Sequence, residues 1–172
     1  MLTNGNYQSM FMTTGEGVIL IDAPEPVVQY IERAVADVTD EPIATLIYSH
    51  GHSDHIGGSH LLARPGLEII AEQRVADFVK KKQQDGRRLV PTRVFDEELM
   101  LTKGFRTISL KRDEFHSPEG DLYACSRSAI HSTRSQAFRM PVTSKRMTDK
   151  ASPYIDESAW SSMPMPDSSR MT

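Results

Sequence analysis

Four side chains able to bind a divalent metal stand within six residues, at His50, His52, Asp54 and His55, in the run Ser49-His50-Gly51-His52-Ser53-Asp54-His55-Ile56-Gly57-Gly58. Two imidazoles one residue apart project the same way from an extended backbone. His50 and His52 can therefore grip one ion. A turn after them, permitted by Gly57 and Gly58, carries Asp54 and His55 to the other side, where they can hold or orient a second ion or its water. Nitrogen donors mixed with a carboxylate suit zinc, and also manganese or ferrous iron, better than calcium or magnesium, which prefer oxygen shells. The competing reading is a loop of solvated polar residues. Three histidines and an aspartate at this spacing, directly after the apolar run Ile43 to Tyr48, favour the metal.

The pattern HxHxDH behind a strand resembles the signature of the metallo-beta-lactamase superfamily. Val18-Ile19-Leu20-Ile21-Asp22 is similar to that family's early strand ending in aspartate, and Leu67 to Glu72 to the strand after the metal loop. His116, in Phe115-His116-Ser117-Pro118-Glu119-Gly120-Asp121, is similar to the next histidine ligand, although Glu119 stands here between the proline and the glycine. The likeness covers about residues 5 to 123. It implies an α/β fold, the αββα sandwich of that family, cut down to its N-terminal half.

Carried over residue by residue, the resemblance assigns His50, His52 and His116 to one zinc, and Asp54 and His55 to a second. Asp54 would also be catalytic, orienting the nucleophile and handling protons. Asp22 would hydrogen-bond near the metal loop and hold it in place. The family also uses a bridging aspartate and a last histidine from its second half. In this chain His131 comes too soon and Asp149 follows no apolar strand, so the second metal site is expected to be incomplete. The implied activity is that of a zinc-dependent hydrolase. In the family, a metal-bound hydroxide attacks an ester, lactone, amide or thioester of a small-molecule substrate. The alternative is an inactive fragment, or a metal-binding module without hydrolase activity.

The elements needed to position these residues are legible nearby. Tyr7 to Thr13 and Val18 to Asp22 read as strands joined through Gly15 and Gly17. Pro26 opens a helix in which Val27, Ile31, Val35 and Val38 recur at helical spacing. Ile43 to Tyr48 reads as the strand that delivers the metal loop, and a short helical segment is expected around His60 to Ala63. Leu67 to Ala71 reads as a strand and Glu72 to about Gln84 as a helix, with Val75, Phe78 and Val79 inward. Val94-Phe95, Leu99 to Leu101, Thr107 to Leu110 and Leu122-Tyr123 read as further strands.

The chain has 172 residues and a formal charge of −3, enough for one domain, and no clustered basic face argues for nucleic acid. Lys80 to Lys82 with Arg87 and Arg88 read as a solvated end of a helix. His60 falls outside the motif spacing and reads as a surface residue. Cys125 is the sole cysteine, so no disulfide forms within the chain. There is no stretch of ~18 apolar residues to span a membrane and no secretion signal, so a cytoplasmic protein is expected. From Ala124 leucine and glycine vanish and serine dominates. The expected organisation is thus a domain over residues 1–123 and a disordered tail over 124–172, with association through exposed sheet edges where the second half is missing.

Overall fold

In the computed structural model, the described residues are 1–82, 86–114, 116–128 and 136–138. After the short β1 (Leu2–Thr3), which the sequence did not reveal, β2 (Gln8–Met12) and β3 (Val18–Ile21) pair as the expected hairpin, Met10 opposite Ile21. β3 is buried at every position. Strands buried on both faces read as continuous apolar runs, typical of a parallel sheet. β4 (Ile43–Ile47), β5 (Glu68–Glu72) and β6 (Arg93–Phe95) indeed follow β3 in parallel, giving a six-stranded sheet in the order β1-β2-β3-β4-β5-β6.

Helices α1 (Glu25–Val28) and α2 (Ile31–Ala36), a short α3 (Ser53–Ile56), a 3-10 turn over Ser59–Leu62 and α4 (Gln73–Lys82) complete this part. The single helix expected from Pro26 to Val38 is divided at Gln29 and Tyr30, where the Tyr30 N–H turns tightly back to the Val27 carbonyl at 3.0 Å. Its apolar spacing survives the break except at Val38, which lies beyond α2 and is exposed. Val27, Val28, Ile31 and Val35 pack with Leu20, Leu46 and Ile69 into one core.

β7 (Glu98–Lys103), β8 (Arg106–Asp113), β9 (Asp121–Ser128) and β10 (Gln136–Phe138) form a second, antiparallel sheet. Its Leu101, Ile108, Leu110, Leu122 and Ala124 meet Ile19, Ile21, Ile47 and Ile70 of the first sheet in a second core. The inner face of the parallel sheet is therefore covered by the chain's own strands. The α/β arrangement of facing sheets expected from the sequence is what forms among the described residues. β9 also runs five residues past the expected boundary at 123, because Ala124 still faces the core and the backbone stays in register with β8 as far as Arg106 opposite Ser128. The remainder of the expected tail, 129–135 and 139–172, lies outside the described residues.

Candidate metal centre

Parallel strands bring their carboxyl ends to one edge, the usual place for a site in an α/β sheet. Here Asp22 follows β3, Ser49 and His50 follow β4, and Glu72 ends β5. The second sheet is tied to the same edge. The Leu122 N–H donates to the Ser49 carbonyl at 3.0 Å, and the backbone of His50 pairs antiparallel with that of Asp121. That tie carries the loop between β8 and β9, with His116, onto the metal loop sixty-six residues earlier in the chain (116 − 50).

His50, His52 and His116 each offer a ligand nitrogen, all within 4.8 Å of one another. His52 has extended backbone, φ −70° and ψ 140°, as the cap before α3, so the extended His-x-His geometry expected from the spacing is present. The helical turn of α3 then folds His55 back over His50, with ring centroids 4.3 Å apart. His55, His50 and Asp22 form a second convergent group. Asp54 belongs to neither group. Its carboxylate is half-exposed, 3.9 Å from His55 Nε2, and lines a groove with Tyr7, Glu25, Pro26 and Ser53.

The hydrogen bonds around His50 settle which nitrogen it presents. Asp22 is buried, and it accepts the Ser49 N–H at 2.8 Å and the Ser49 hydroxyl on its other oxygen. With its proton committed to Asp22, the Ser49 oxygen must accept from His50 Nδ1, 2.9 Å away. Nε2 of His50 is then unprotonated. It is buried and has no hydrogen-bond partner among the described residues. An orphaned lone pair of this kind is costly unless something binds it, so a nitrogen-liganded cation fits the donors present. Asp22 does this from φ 59°, a left-handed conformation that aspartate tolerates better than most residues.

Burial pushes the His50 imidazole down to about 4, with His55 adding to the effect and Asp22 opposing it. Burial also works against charge on His55, but Asp22, 3.6 Å from Nδ1, together with Asp54 outweighs it and raises that imidazole above its usual range. On the far loop, Asp121 Oδ2 accepts the N–H groups of His116 and Ser117 at 2.9 and 2.7 Å. The Ser117 hydroxyl binds Glu119 and holds its carboxyl below the usual range.

Three residues behave differently from their sequence reading. Gly57 and Gly58 have ordinary helical backbone, so the turn does not need their freedom. Gly58 is required for close approach, since a Cβ there would lie 2.7 Å from the Ala23 carbonyl oxygen and 2.8 Å from Val28. Arg88, expected on a solvated face, is 7% exposed and donates to the carbonyls of Gly51 and Lys82. A double arginine after a helix carries no signal for such a role. His60, by contrast, is held by the carbonyls of Gly57 and Arg87 as a structural residue, and Cys125 sits in β9 opposite Ser109, outside both groups.

Comparison with known proteins agrees with this geometry. A family model described as the metallo-beta-lactamase superfamily matches residues 2–101. The alpha subunit of 2,4-dinitroanisole O-demethylase from Nocardioides sp. (strain JS1661) is 28% identical over 100 residues, 56% of this chain and 30% of that protein. Metallo-beta-lactamase IND-1 of Chryseobacterium indologenes is 27% identical over 77 residues, 42% of this chain and 31% of that one. Among solved structures, a HARLDQ-motif mutant of a metallo-beta-lactamase from Cronobacter sakazakii is 25% identical, with a TM-score of 0.60, over 73% of this chain and 54% of that one. The subclass B3 enzyme MEM-A1 from a soil metagenome library shares the fold at 20% identity and a TM-score of 0.62, over 77% and 55%. The chain thus spans about three tenths of the curated relatives and about half of the solved neighbours.

Proposed function

Since this chain belongs to the metallo-beta-lactamase superfamily, we propose that it is a metal-dependent hydrolase of small acyl substrates, an ester, lactone, amide or thioester, with zinc at His50, His52 and His116. The observation that carries this reading is the unpartnered Nε2 of His50, aimed among two further imidazoles. A zinc ion so held supplies a water of pKa about 7 and a Lewis acid for the attacked oxygen.

The chain's own groups account for the rest. His50 stays neutral because it is buried, and the Asp22–Ser49 relay fixes its tautomer so that Nε2 keeps the lone pair. His55 and Asp54, on the adjacent turn, hold or take up a proton as water adds to the carbonyl carbon. The bond to the leaving oxygen, nitrogen or sulfur then breaks, and the leaving group departs with a proton. A cleft of about 450 Å³ lined by Arg74, Glu114, His116, Ser117 and Pro118 opens beside the site, a volume in the range of small-molecule pockets. The two curated relatives are named for different reactions, so the acyl assignment rests on the resemblance to the superfamily and not on either relative.

The second reading, for a chain that spans about half of its solved neighbours, is an inactive fragment or a metal-binding module without hydrolase activity. Purified protein grown in zinc medium decides between them. One or more equivalents of zinc, with hydrolysis of a chromogenic ester or lactam abolished by His52→Ala, supports the hydrolase. Bound zinc without hydrolysis supports the module, and less than about half an equivalent counts against both.

A further inference from the structure

Glu119 is the residue that departs from the family's histidine-serine-proline-glycine pattern, and the fold places it against the metal loop. Ser117 to Gly120 form a turn closed by the Gly120 N–H on the Ser117 carbonyl at 3.0 Å, with Pro118 at its second position as such turns favour. The turn is pinned from behind. Gly120 has φ +109°, and a Cβ there would lie 2.7 Å from Oε2 of Glu72, a buried carboxylate that accepts the Arg74 and Val75 N–H groups at the start of α4. Within this rigid turn the Ser117 hydroxyl holds Glu119 Oε2 at 2.7 Å, and the same oxygen lies 3.8 Å from His52 Nε2. That gap is too small for an intervening water. Both side chains are partly exposed, at 37% and 28%, so a small rotation brings them into direct contact. No other carboxylate among the described residues pairs with His52.

We propose that Glu119 is a positioning residue for the middle ligand, accepting the Nε2–H of His52 so that Nδ1 is the nitrogen presented to the ion. This rests on the reading of His52 as a ligand. His50 has its tautomer set by Ser49, and His116 has its backbone held by Asp121. Glu119 supplies the corresponding constraint on His52, a partly exposed imidazole. A carboxylate behind a ligating histidine fixes ring orientation and raises its basicity, and its loss usually costs 10–100-fold in metal affinity.

The test is zinc affinity by competition with a chromophoric chelator for the parent chain, Glu119→Ala and Glu119→Gln. It is read with the thermal midpoint of each metal-free form and the His52 N–H resonance in ¹⁵N-histidine-labelled, zinc-loaded protein. Glu119→Ala should bind zinc 10–100-fold more weakly and lose the His52 Nε2–H signal. Glu119→Gln, whose amide oxygen still accepts, should recover most of the affinity, and the metal-free midpoints should coincide. Equal affinity of Glu119→Ala and the parent would overturn the proposal. So would failure of Glu119→Gln to recover, or a cobalt(II) spectrum showing that Glu119→Ala loses a directly bound oxygen, which would make Glu119 a ligand. A parent chain with no zinc affinity removes the ligand reading itself, whereas zinc binding indifferent to Glu119 sinks this inference alone.

Discussion

His50 and His55 sit ring against ring, yet burial and charge move them in opposite directions. A histidine in the unfolded chain titrates near ~6.5. His50 in the fold is pushed down to about 4, so protons bind the unfolded chain first. The stability it contributes is complete above ~6.5 and drains away as pH falls toward 4. His55 is raised, so its contribution is complete below ~6.5 and is lost as pH climbs through its folded value. The metal-free protein should therefore show a maximum in thermal midpoint near pH ~6.5, falling on both sides. Calorimetry across pH 4.5–8.5 checks this, and a midpoint that climbs steadily through neutrality would contradict it.

At the scale of elements, the metal loop is a strand end held from three directions. Asp22 after β3 fixes Ser49, β9 pairs with the Ser49 carbonyl, and Arg88 holds the Gly51 carbonyl at 3.2 Å. Gly51 is wedged between that guanidinium and Phe78 of α4, where a Cβ would lie 2.5 Å from the ring. Arg88 lies over the same ring at 5.8 Å, an arrangement that favours a cation on an aromatic face. Arg88→Met keeps the apolar stem but removes donors from two carbonyls. It should cost about 1–3 kcal/mol in urea unfolding and weaken zinc binding, because the link between His50 and His52 is released. Unchanged metal affinity in Arg88→Met would show that Arg88 does not hold the loop.

At the scale of the molecule, the two sheets share one apolar seam, and the metal ligands come from both sides of it. Leu110 is fully buried there with Ile108, Ile47 and Ile70. Leu110→Ala should cost about 2–5 kcal/mol, a large share of the ~5–15 kcal/mol that holds a domain together. It should also lower zinc affinity, since His116 depends on β8 and β9 being docked. Denaturation with and without zinc measures both effects. Destabilisation without any loss of affinity would mean that His116 reaches the site independently of the seam. Among the described residues no helix is long and apolar enough to cross a membrane, and the only helices lie in the first 82 residues.

The local part of this protein could be read from its sequence, because the period of an extended backbone places His50 and His52 together, and apolar runs mark β3, β4 and β5 without knowledge of their neighbours. Four metal-capable residues, the strand delivering them and the α/β class follow from residues close in the chain, whereas His116 was indicated only by the resemblance to the family. The tertiary structure decided what depends on distant segments meeting. It put His116 within reach of His52, gave Asp22 and Ser49 control of the His50 tautomer, left Asp54 outside both clusters, and buried Arg88 behind the loop. It also covered the first sheet with a second. Tautomer, burial and ligand convergence depend on what packs around a side chain, and spacing along one strand carries no record of that.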